Sequence, residues 1–392
     1  MIKLLIGGSP CTHWSIAQKN GRETQPNSGL GWELFLNYKI ALEKYKPDYF
    51  LYENNKSASQ AIKDEIARQL NVVEPDLLTP DNGIRMTHIN SELVSAQNRE
   101  RFYVTNFGEI YQPQDKGIHI REILRNTYEP INTTADGTKA RTLMSGYYKY
   151  GTATLITNEG FKGGTTAAAE SVRIPEPCAQ RLQDKSRTIT AGYTICSQRD
   201  LRMDIETNGY MGKQGVIEML PFYATPIEWD VNGKPTKAIS SANGKTYIVY
   251  EVKDGLISIR DKQYPQNLPD GYYIIRKLTI SECKRLQTIP DWYEIPVSDS
   301  QAYKLIGNGW TIEVIKHLLS HISNILNEEI EVLSMYDGMS CGQISLKEMG
   351  CHISRYYATE IDKYAIQTTQ HNFPNTIQLG DAFQVRESGW HI

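Results

Sequence analysis

Residues 3 to 12 read Lys-Leu-Leu-Ile-Gly-Gly-Ser-Pro-Cys-Thr, an apolar run followed at once by turn residues and a cysteine. A short apolar run that is bounded by glycine and proline is typical of a buried strand. This interpretation places Cys11 in the turn just past the end of the strand, a position that suits a nucleophile.

A second unit of the same kind follows, because Tyr49-Phe-Leu-Tyr52 is also an apolar run and Glu53 comes directly after it. Between the two runs, residues 31–45 carry apolar side chains at helical spacing, and Pro47 ends that pattern. Parallel strands joined by a right-handed helical crossover present their carboxyl ends at one edge of the sheet. We therefore expect Cys11 and Glu53 to emerge side by side.

A thiol beside a carboxyl group suits attack on an electron-poor ring, in which the thiolate adds to carbon and the acid acts at a ring nitrogen. An isolated Pro-Cys pair carries little information, because free cysteine is usually a small buried hydrophobe. The pairing of Cys11 with Glu53 favours the catalytic interpretation.

Five segments resemble motifs of the DNA cytosine-5 methyltransferases in order and spacing. They are Gly8-Ser-Pro-Cys11, Glu53-Asn54, Gln97-Asn-Arg-Glu-Arg101, Arg276 to Gln287 and Tyr303 to Asn308. The resemblance implies methyl transfer to C5 of a flipped-out cytosine in double-stranded DNA, with Cys11 bonded to C6 and Glu53 at N3. It implies that Arg99 and Arg101 hold the cytosine carbonyl, a phosphate or Glu53. The alternative for the two arginines is an exposed ladder on one face of a strand.

The cofactor motif of that family appears at the other end of the chain. Residues 331–335 are typical of a strand, 336–342 of a glycine-bearing loop and 343–349 of a short helix. Predicted strands at 356–359 and 376–379 end at Glu360 and Asp381.

The resemblance implies an S-adenosylmethionine site in which Tyr336 stacks on the adenine, Glu360 binds the ribose hydroxyls and Asp381 accepts from the adenine amine. Each acid taken alone fits an exposed loop carboxylate equally well. We expect no metal. The full set of expected cofactor residues is Pro10, Asn308, Tyr336, Asp337, Gly338, Gly342, Glu360, Ile361 and Asp381.

The motif order is therefore rotated, which resembles a circular permutation of the family, a change that surface termini permit. We expect an α/β fold, a Rossmann-like methyltransferase sheet with a smaller, mostly β target recognition domain. The strand at 2–6 should lie beside the strand at 331–335, with Met1 and Ile392 within about 15 Å. A helix from Thr311 to Leu326 should lead into the cofactor strand.

We predict three segments: residues 1–125 form the catalytic half, 126–271 the recognition domain, and 272–392 the remainder with the cofactor motifs. The middle segment is rich in Gly, Thr, Tyr and Ser, and its short alternating runs predict strands. A faint repeat occurs at residues 139–146, 185–192 and 235–242. Its interleaved Tyr, Arg and Lys suit contacts to phosphates and base edges, although each charge alone fits a solvated sheet.

The polar, glycine-rich stretch from Lys19 to Gly31 fits either a lid over the site or a disordered tip, and we favour the lid. Three positions depart from the family pattern. They are Leu30 in place of the usual arginine, Asn55 after Glu53-Asn54, and the Tyr-Asp-Gly form of the cofactor loop at Asp337.

Composition limits the remaining possibilities. The 392 residues carry a net charge of −3, so DNA contact must come from a local basic cleft. Six cysteines without a Cys-x-x-Cys pair disfavour a zinc ribbon or a disulfide framework. The sequence contains no long apolar run, so we expect neither a membrane span nor a leader. We expect a cytoplasmic enzyme of prokaryotic or phage origin, acting as a monomer on DNA, with a cognate restriction endonuclease as one possible partner. A transfer RNA methyltransferase and a catalytically weak regulatory homologue are the alternatives.

Overall fold

The computed structural model describes residues 1–15, 21–73, 81–124, 129–131, 140–141, 215–220, 224–259, 262–265, 268–387, 389–390 and 392. The strands in chain order are β1 (Ile2–Gly7), β2 (Tyr49–Asn55), β3 (Arg85–Asn90), β4 (Gln97–Asn98), β5 (Glu100–Thr105), β6 (Glu129–Ile131), β7 (Ala140–Arg141), β8 (Gly215–Met219), β9 (Ala224–Trp229), β10 (Pro235–Ser240), β11 (Thr246–Lys253), β12 (Leu256–Ile259), β13 (Lys262–Pro265), β14 (Gly271–Arg276), β15 (Glu329–Met335), β16 (His352–Thr359) and β17 (Ile377–Gly380).

The helices are α1 (Gly29–Tyr45), α2 (Gln60–Gln69), α3 (Ile120–Ile123), α4 (Ile280–Leu286), α5 (Asp299–Asn308), α6 (Ile312–Leu319), α7 (Cys341–Glu348) and α8 (Lys363–Asn372). Short 3-10 helices cover Cys11–His13, Ser91–Leu93 and Ala382–Arg386.

The main sheet has seven strands in the order β17-β16-β15-β1-β2-β5-β3. The first five are parallel to one another, whereas β5 is antiparallel to both β2 and β3. β1 pairs with β15 from Ile2 opposite Ile330 to Gly7 opposite Met335. The prediction that the first strand of the chain lies beside the cofactor strand is confirmed.

Both faces of the central strands β1 and β2 are buried, which explains their apolar runs Leu4-Leu5-Ile6 and Phe50-Leu51-Tyr52. Leu4 and Ile6 of β1 pack in the same core cluster as residues of α6, while Leu5 faces the cluster that contains residues of α1 and α2. The architecture is therefore three-layered, with helices above and below the sheet, as the α/β prediction requires.

Several predicted element boundaries are wrong. α6 ends at Leu319 rather than Leu326, because the side chain of Ser320 donates to the carbonyl of His317 and Asn324 adopts a left-handed φ of 60°. The helix after the cofactor loop begins at Cys341, earlier than predicted, so the loop is shorter. β2 also continues through Asn55, which places Glu53 inside the strand rather than after it.

A second sheet is antiparallel and has the order β13-β12-β11-β14-β8-β6, with β10 pairing with β11 and β9 pairing with β10. A small core of Leu220, Ala224, Ala238 and Ile274 supports it. The described part of segment 126–271 thus consists mainly of strands. β14 extends past residue 271, and the repeat at 185–192 lies outside the described residues.

Within the described ranges, no helix is both long enough and apolar enough to cross a membrane.

Candidate active site

The order of the strands locates a crevice in the main sheet. β1 and β15 are neighbours, but β1 leads through α1 to β2 on one side, whereas β15 leads through α7 to β16 on the other. Ligands bind outside the carboxyl ends of parallel strands at such a switch point. After the roles expected from the sequence, we call residues 8–13 with Glu53 the catalytic edge, and residues 336–340 with Glu360 and Asp381 the cofactor edge.

The loop that carries Cys11 is fixed by the strand next to it. The buried hydroxyl of Ser9 lies 2.7 Å from the Tyr52 hydroxyl, and the Asn54 amide donates to the Ser9 carbonyl at 3.0 Å. Cys11 begins the 3-10 helix directly after this anchor, and Pro10 is exposed. The predicted placement of Cys11 past the end of the first strand is therefore confirmed for the backbone.

Both carboxylate oxygens of Glu53 have a donor. Its Oε1 lies 3.0 Å from Arg101 Nε, and its Oε2 accepts from the indole Nε1 of Trp310 at 3.1 Å. Only 8% of the Glu53 surface is exposed. A Cβ atom on Gly8 would lie 2.8 Å from Glu53 Oε2, so only glycine allows the loop to approach the carboxylate this closely.

The two predicted arginines have separate partners. Arg101 pairs with Glu53, while the guanidinium of Arg99 donates to the carbonyls of Gly307 and Gly309 at 3.4 and 2.8 Å. Both arginines are buried, so the alternative of an exposed ladder is wrong. Arg99, which lies just before β5, thus connects its own motif to the last of the five motifs by hydrogen bonds.

Sequence reasoning missed Trp310, which lies two residues after the end of that last motif. Its backbone N–H donates to Cys341 Sγ at 3.3 Å, and its ring packs against two core clusters. No sequence pattern indicates the contact with Glu53, because the two residues are 257 positions apart.

Backbone donors position Glu360 at the cofactor edge. The N–H groups of Gly338, Ile361 and Asp362 donate to its carboxylate at 2.8, 2.7 and 2.8 Å. Ile361 beside it is 75% exposed. Asp381 is also exposed, and its Oδ1 accepts from the N–H of Phe383 at 2.9 Å.

Tyr336 begins the cofactor loop with a left-handed φ of 59°. Its hydroxyl donates to the carbonyl of Leu34 at 2.8 Å and accepts from the Asn37 amide at 3.3 Å. Burial raises the pKa of the Tyr336 hydroxyl, so it stays protonated and can serve as a donor.

Asp337 lies beneath the same loop and supports it. Its carboxylate accepts from the Tyr356 hydroxyl at 2.8 Å and from the Ser340 hydroxyl. Burial raises the pKa of Asp337 to about 6. Gly342 lies in the first turn of the helix that follows the loop, where a Cβ atom would lie 2.2 Å from Ile6 of β1, so close packing explains the glycine.

The remaining predicted positions vary in exposure. Asn308 is exposed at the end of α5, and Leu30 lies half-exposed in the first turn of α1. Asn55 is buried and accepts from the Ser57 hydroxyl at 2.5 Å. Residues 21–28 of the predicted lid contact the site through Glu23, which accepts from the N–H of Gly31 and lies 3.4 Å from His13.

Comparison with known proteins identifies the family. The family model for C-5 cytosine-specific DNA methylases matches residues 1–324. The orphan methyltransferase M.SPRI of Bacillus phage SPR is 24% identical over 386 residues, which cover 84% of each chain. The type II methyltransferase M.HpaII of Haemophilus parainfluenzae is 24% identical over 337 residues, covering 82% of this chain and 73% of that protein.

Among solved structures, the methyltransferase EhMeth of Entamoeba histolytica is 16% identical, with a TM-score of 0.40 over 81% of this chain and 76% of that one. The match across residues 1–324 shows that the chain belongs to the C-5 cytosine-specific DNA methylase family, enzymes that methylate DNA with S-adenosylmethionine as the donor.

Proposed function

We propose that this DNA methyltransferase acts through a covalent adduct between Cys11 and C6 of cytosine, with Glu53 acting at N3. The observation that carries the proposal is the position of Glu53. Its carboxylate is held by two donors and lies so close to Gly8, three residues before Cys11, that a Cβ atom there would be 2.8 Å from Oε2. A nucleophile and an acid on adjacent parallel strands can engage opposite parts of one ring.

The electron balance follows from these two residues. The Cys11 thiolate forms a bond to C6, and the C5–C6 π electrons move to C5 while Glu53 shares a proton with N3. C5 then forms a bond to the methyl group of the sulfonium donor, and the donor sulfur keeps the electron pair of the S–CH3 bond that breaks. Loss of the C5 proton to a base and cleavage of the C6–S bond restore the aromatic ring and return the thiolate.

The cofactor edge holds residues that suit S-adenosylmethionine, which supplies an electrophilic methyl group when bound. Three backbone N–H groups fix Glu360, and its free lone pairs can accept from ribose hydroxyls. Exposed Ile361 offers an apolar surface to the adenine, and Asp381 offers an acceptor for its amine. Tyr336, Asp337, Gly338, Gly342, Pro10 and Asn308 complete the proposed site.

The substrate we propose is a cytosine rotated out of double-stranded DNA. Unstacking costs a few kcal/mol, which stacking and hydrogen bonds in the pocket offset. Segment 126–271 would recognise the sequence, and its second sheet exposes Trp229 and carries Lys234 and Lys237 near its surface. Such residues contact phosphates and bases locally, which agrees with the near-neutral charge of the chain.

We also infer that the chain is a circular permutation of its family. The family match ends at residue 324, just before β15 begins, as a linear comparison would if the cofactor motifs were displaced. The Met1 amine lies 2.8 Å from Glu328 at the start of β15, so the two strands begin together. The Trp390 ring stacks on Tyr45, and Ile392 lines a cavity with Lys3. Both termini thus lie near β1.

A rearranged gene tests the permutation. Residues 327–392 are placed ahead of Met1 with a few linker residues, and the product should fold and methylate the same site. An insoluble product, or one that methylates another sequence, would contradict the inference.

The proposal extends to the oligomeric state, the cellular compartment and the partner of the enzyme. We propose that the enzyme acts as a monomer on DNA in the cytoplasm of a bacterial or phage-infected cell. A cognate restriction endonuclease is a partner that its type II relative suggests.

Bisulfite sequencing of a plasmid propagated with the gene tests the activity and reports the site. We expect 5-methylcytosine at one short sequence. A parallel assay offers purified enzyme duplex DNA and transfer RNA. Methylation of transfer RNA alone would overturn the proposed substrate, and absence of methylation on both would indicate a regulatory homologue.

A further inference from the structure

The donor that approaches Glu53 from the far end of the chain is Trp310. Its indole Nε1 lies 3.1 Å from Glu53 Oε2, while Arg101 Nε lies 3.0 Å from Oε1. The terminal torsion of a glutamate has a broad, weakly restricted profile, so a carboxylate with one partner can still rotate. Donors on both oxygens fix the carboxylate plane.

Trp310 holds the oxygen that faces the catalytic loop. A Cβ atom on Gly8 would lie 2.8 Å from Glu53 Oε2, the same atom that accepts from the indole. Each carboxylate oxygen has two acceptor sites, so one hydrogen bond leaves a second site on Oε2 free for a base. The indole is a donor only and carries no charge, so it orients the oxygen without competing as an acceptor.

The backbone around Trp310 is fixed on both sides. Its own N–H donates to Cys341 Sγ, and the preceding Gly309 carbonyl accepts from Arg99 at 2.8 Å and from Gln287 at 3.3 Å. The hydroxyl of Thr311 donates to Gln287 at 2.8 Å. The indole is therefore a rigid support, and Cys341 connects it to the first turn after the cofactor loop.

We propose that Trp310 is a positioning residue for methyl transfer, which orients Glu53 toward N3 of the target base. The proposal rests on the proposed role of Glu53. It adds a residue outside the five motifs and connects the catalytic edge to the helix that follows the cofactor loop.

The test compares single-turnover methyl transfer on duplex DNA for the wild type, Trp310→Phe and Trp292→Phe. Trp292 is the matched control, because its Nε1 also donates to a glutamate at 2.7 Å, and that glutamate, Glu348 at the end of α7, belongs to neither edge of the site. Trp310→Phe should slow transfer by about 10- to 100-fold, the effect of losing one hydrogen bond to a charged acceptor. The KM values for DNA and donor should change less than about threefold, and Trp292→Phe should resemble the wild type.

A double-mutant cycle separates positioning from a structural effect. In the Glu53→Gln background, Trp310→Phe should lower the methyl-transfer rate by less than about threefold. The reason is that the effects of two residues that act as a unit are not additive. Replacing Trp310 by benzothienylalanine, which keeps the shape and removes only the N–H, should match the phenylalanine variant and guards against misfolding.

Two results would overturn the role of Trp310 without affecting the proposed role of Glu53. They are wild-type rates for both Trp310 variants, or losses that multiply with that of Glu53→Gln. If Glu53→Gln itself turned over like the wild type, the proposed mechanism would fail, and the role of Trp310 with it.

Discussion

Glu53 and Glu360 lie at the same carboxyl edge of one sheet. The donors that hold the Glu53 carboxylate are distant from it in sequence, whereas most donors that hold the Glu360 carboxylate are its neighbours in sequence. Trp310, 257 positions away, and Arg101 donate to Glu53 from other elements of the fold. Glu360 accepts from its own neighbours Ile361 and Asp362, and from Gly338 of the adjacent loop.

This difference indicates that the two edges are built in different ways. The catalytic edge depends on buried side chains that meet only after the whole sheet forms, so small displacements there should affect chemistry. The cofactor edge depends on local backbone geometry, so its side chains should contribute separately and more modestly to binding.

The largest expected effect lies at the catalytic edge. Cys11→Ala should lower the methyl-transfer rate on the order of 10⁴-fold or more, because the thiolate is required for the covalent step. Calorimetry should show DNA and S-adenosylmethionine affinities close to the wild type, because docking needs no thiol. Turnover within tenfold of the wild type would refute covalent catalysis by Cys11.

A pair of glycine substitutions sharpens the comparison. Gly8→Ala places a Cβ atom against Glu53 Oε2 and should slow methyl transfer about 100-fold, since small misplacements of a reacting group are costly. Gly338→Ala meets no atom within 4 Å, but its φ of 59° should lower the free energy of unfolding by about 1–2 kcal/mol. Rate measurements and urea titrations on both variants check this. Equal rate losses without a stability difference would contradict the contrast between the edges.

A buried acid beneath the cofactor loop should make stability depend on pH. The pKa of Asp337 in the fold is about 6, above its usual 3.8, so the folded state binds the proton more tightly. Its stabilising contribution is complete below pH 4 and is lost as pH rises through 6. Compared with Asp337→Asn, the wild type should lose about 2 kcal/mol between pH 4 and 7. Urea unfolding of both proteins at pH 4 and at pH 7 measures the difference in their free energies of unfolding. A difference that is the same at both pH values would contradict the pH-dependent contribution of Asp337.

The smallest expected effects belong to the cofactor acids. Asp381→Ala or Glu360→Ala should weaken S-adenosylmethionine binding about 10- to 100-fold, since each removes one or two charge-assisted hydrogen bonds. Glu43→Ala, on the exposed surface of α1, is the matched control and should bind normally. Calorimetry that gives wild-type affinity for both acid variants would place the cofactor elsewhere.

The same distinction explains what the sequence could predict. β1, β15 and the acid after β16 are readable, because apolar runs and the residues that follow them are local features. The predicted end of α6 at Leu326 is wrong because the apolar spacing continues to Ile325, whereas the Ser320 hydroxyl bonds to the His317 carbonyl at the end of the helix and the left-handed φ of Asn324 is incompatible with a helix that continues to Leu326. Trp310 could not be predicted, since its partner is fixed only by the tertiary fold.

The arginine pair shows the same limit within a single motif. Their alternation in the sequence predicts one shared face, yet Arg99 and Arg101 hold different partners. Arg99 lies between β4 and β5, outside both strands, so the alternation of side chains that a regular strand imposes does not apply to it. The family resemblance implied Glu53, the cytosine carbonyl or a phosphate as partners of the pair, whereas the contact that each arginine makes required the structure.

The most direct test of the central claim is a trapping experiment on duplex DNA that carries 5-fluorocytosine at the methylated position. Fluorine cannot leave C5 as a proton does, so the enzyme with S-adenosylmethionine should form a complex that survives denaturing electrophoresis. Peptide mapping should locate the bond at Cys11, and Cys11→Ala should form no complex. A wild-type enzyme that methylates normal DNA yet leaves no denaturation-resistant complex, or a bond at another residue, would contradict the account.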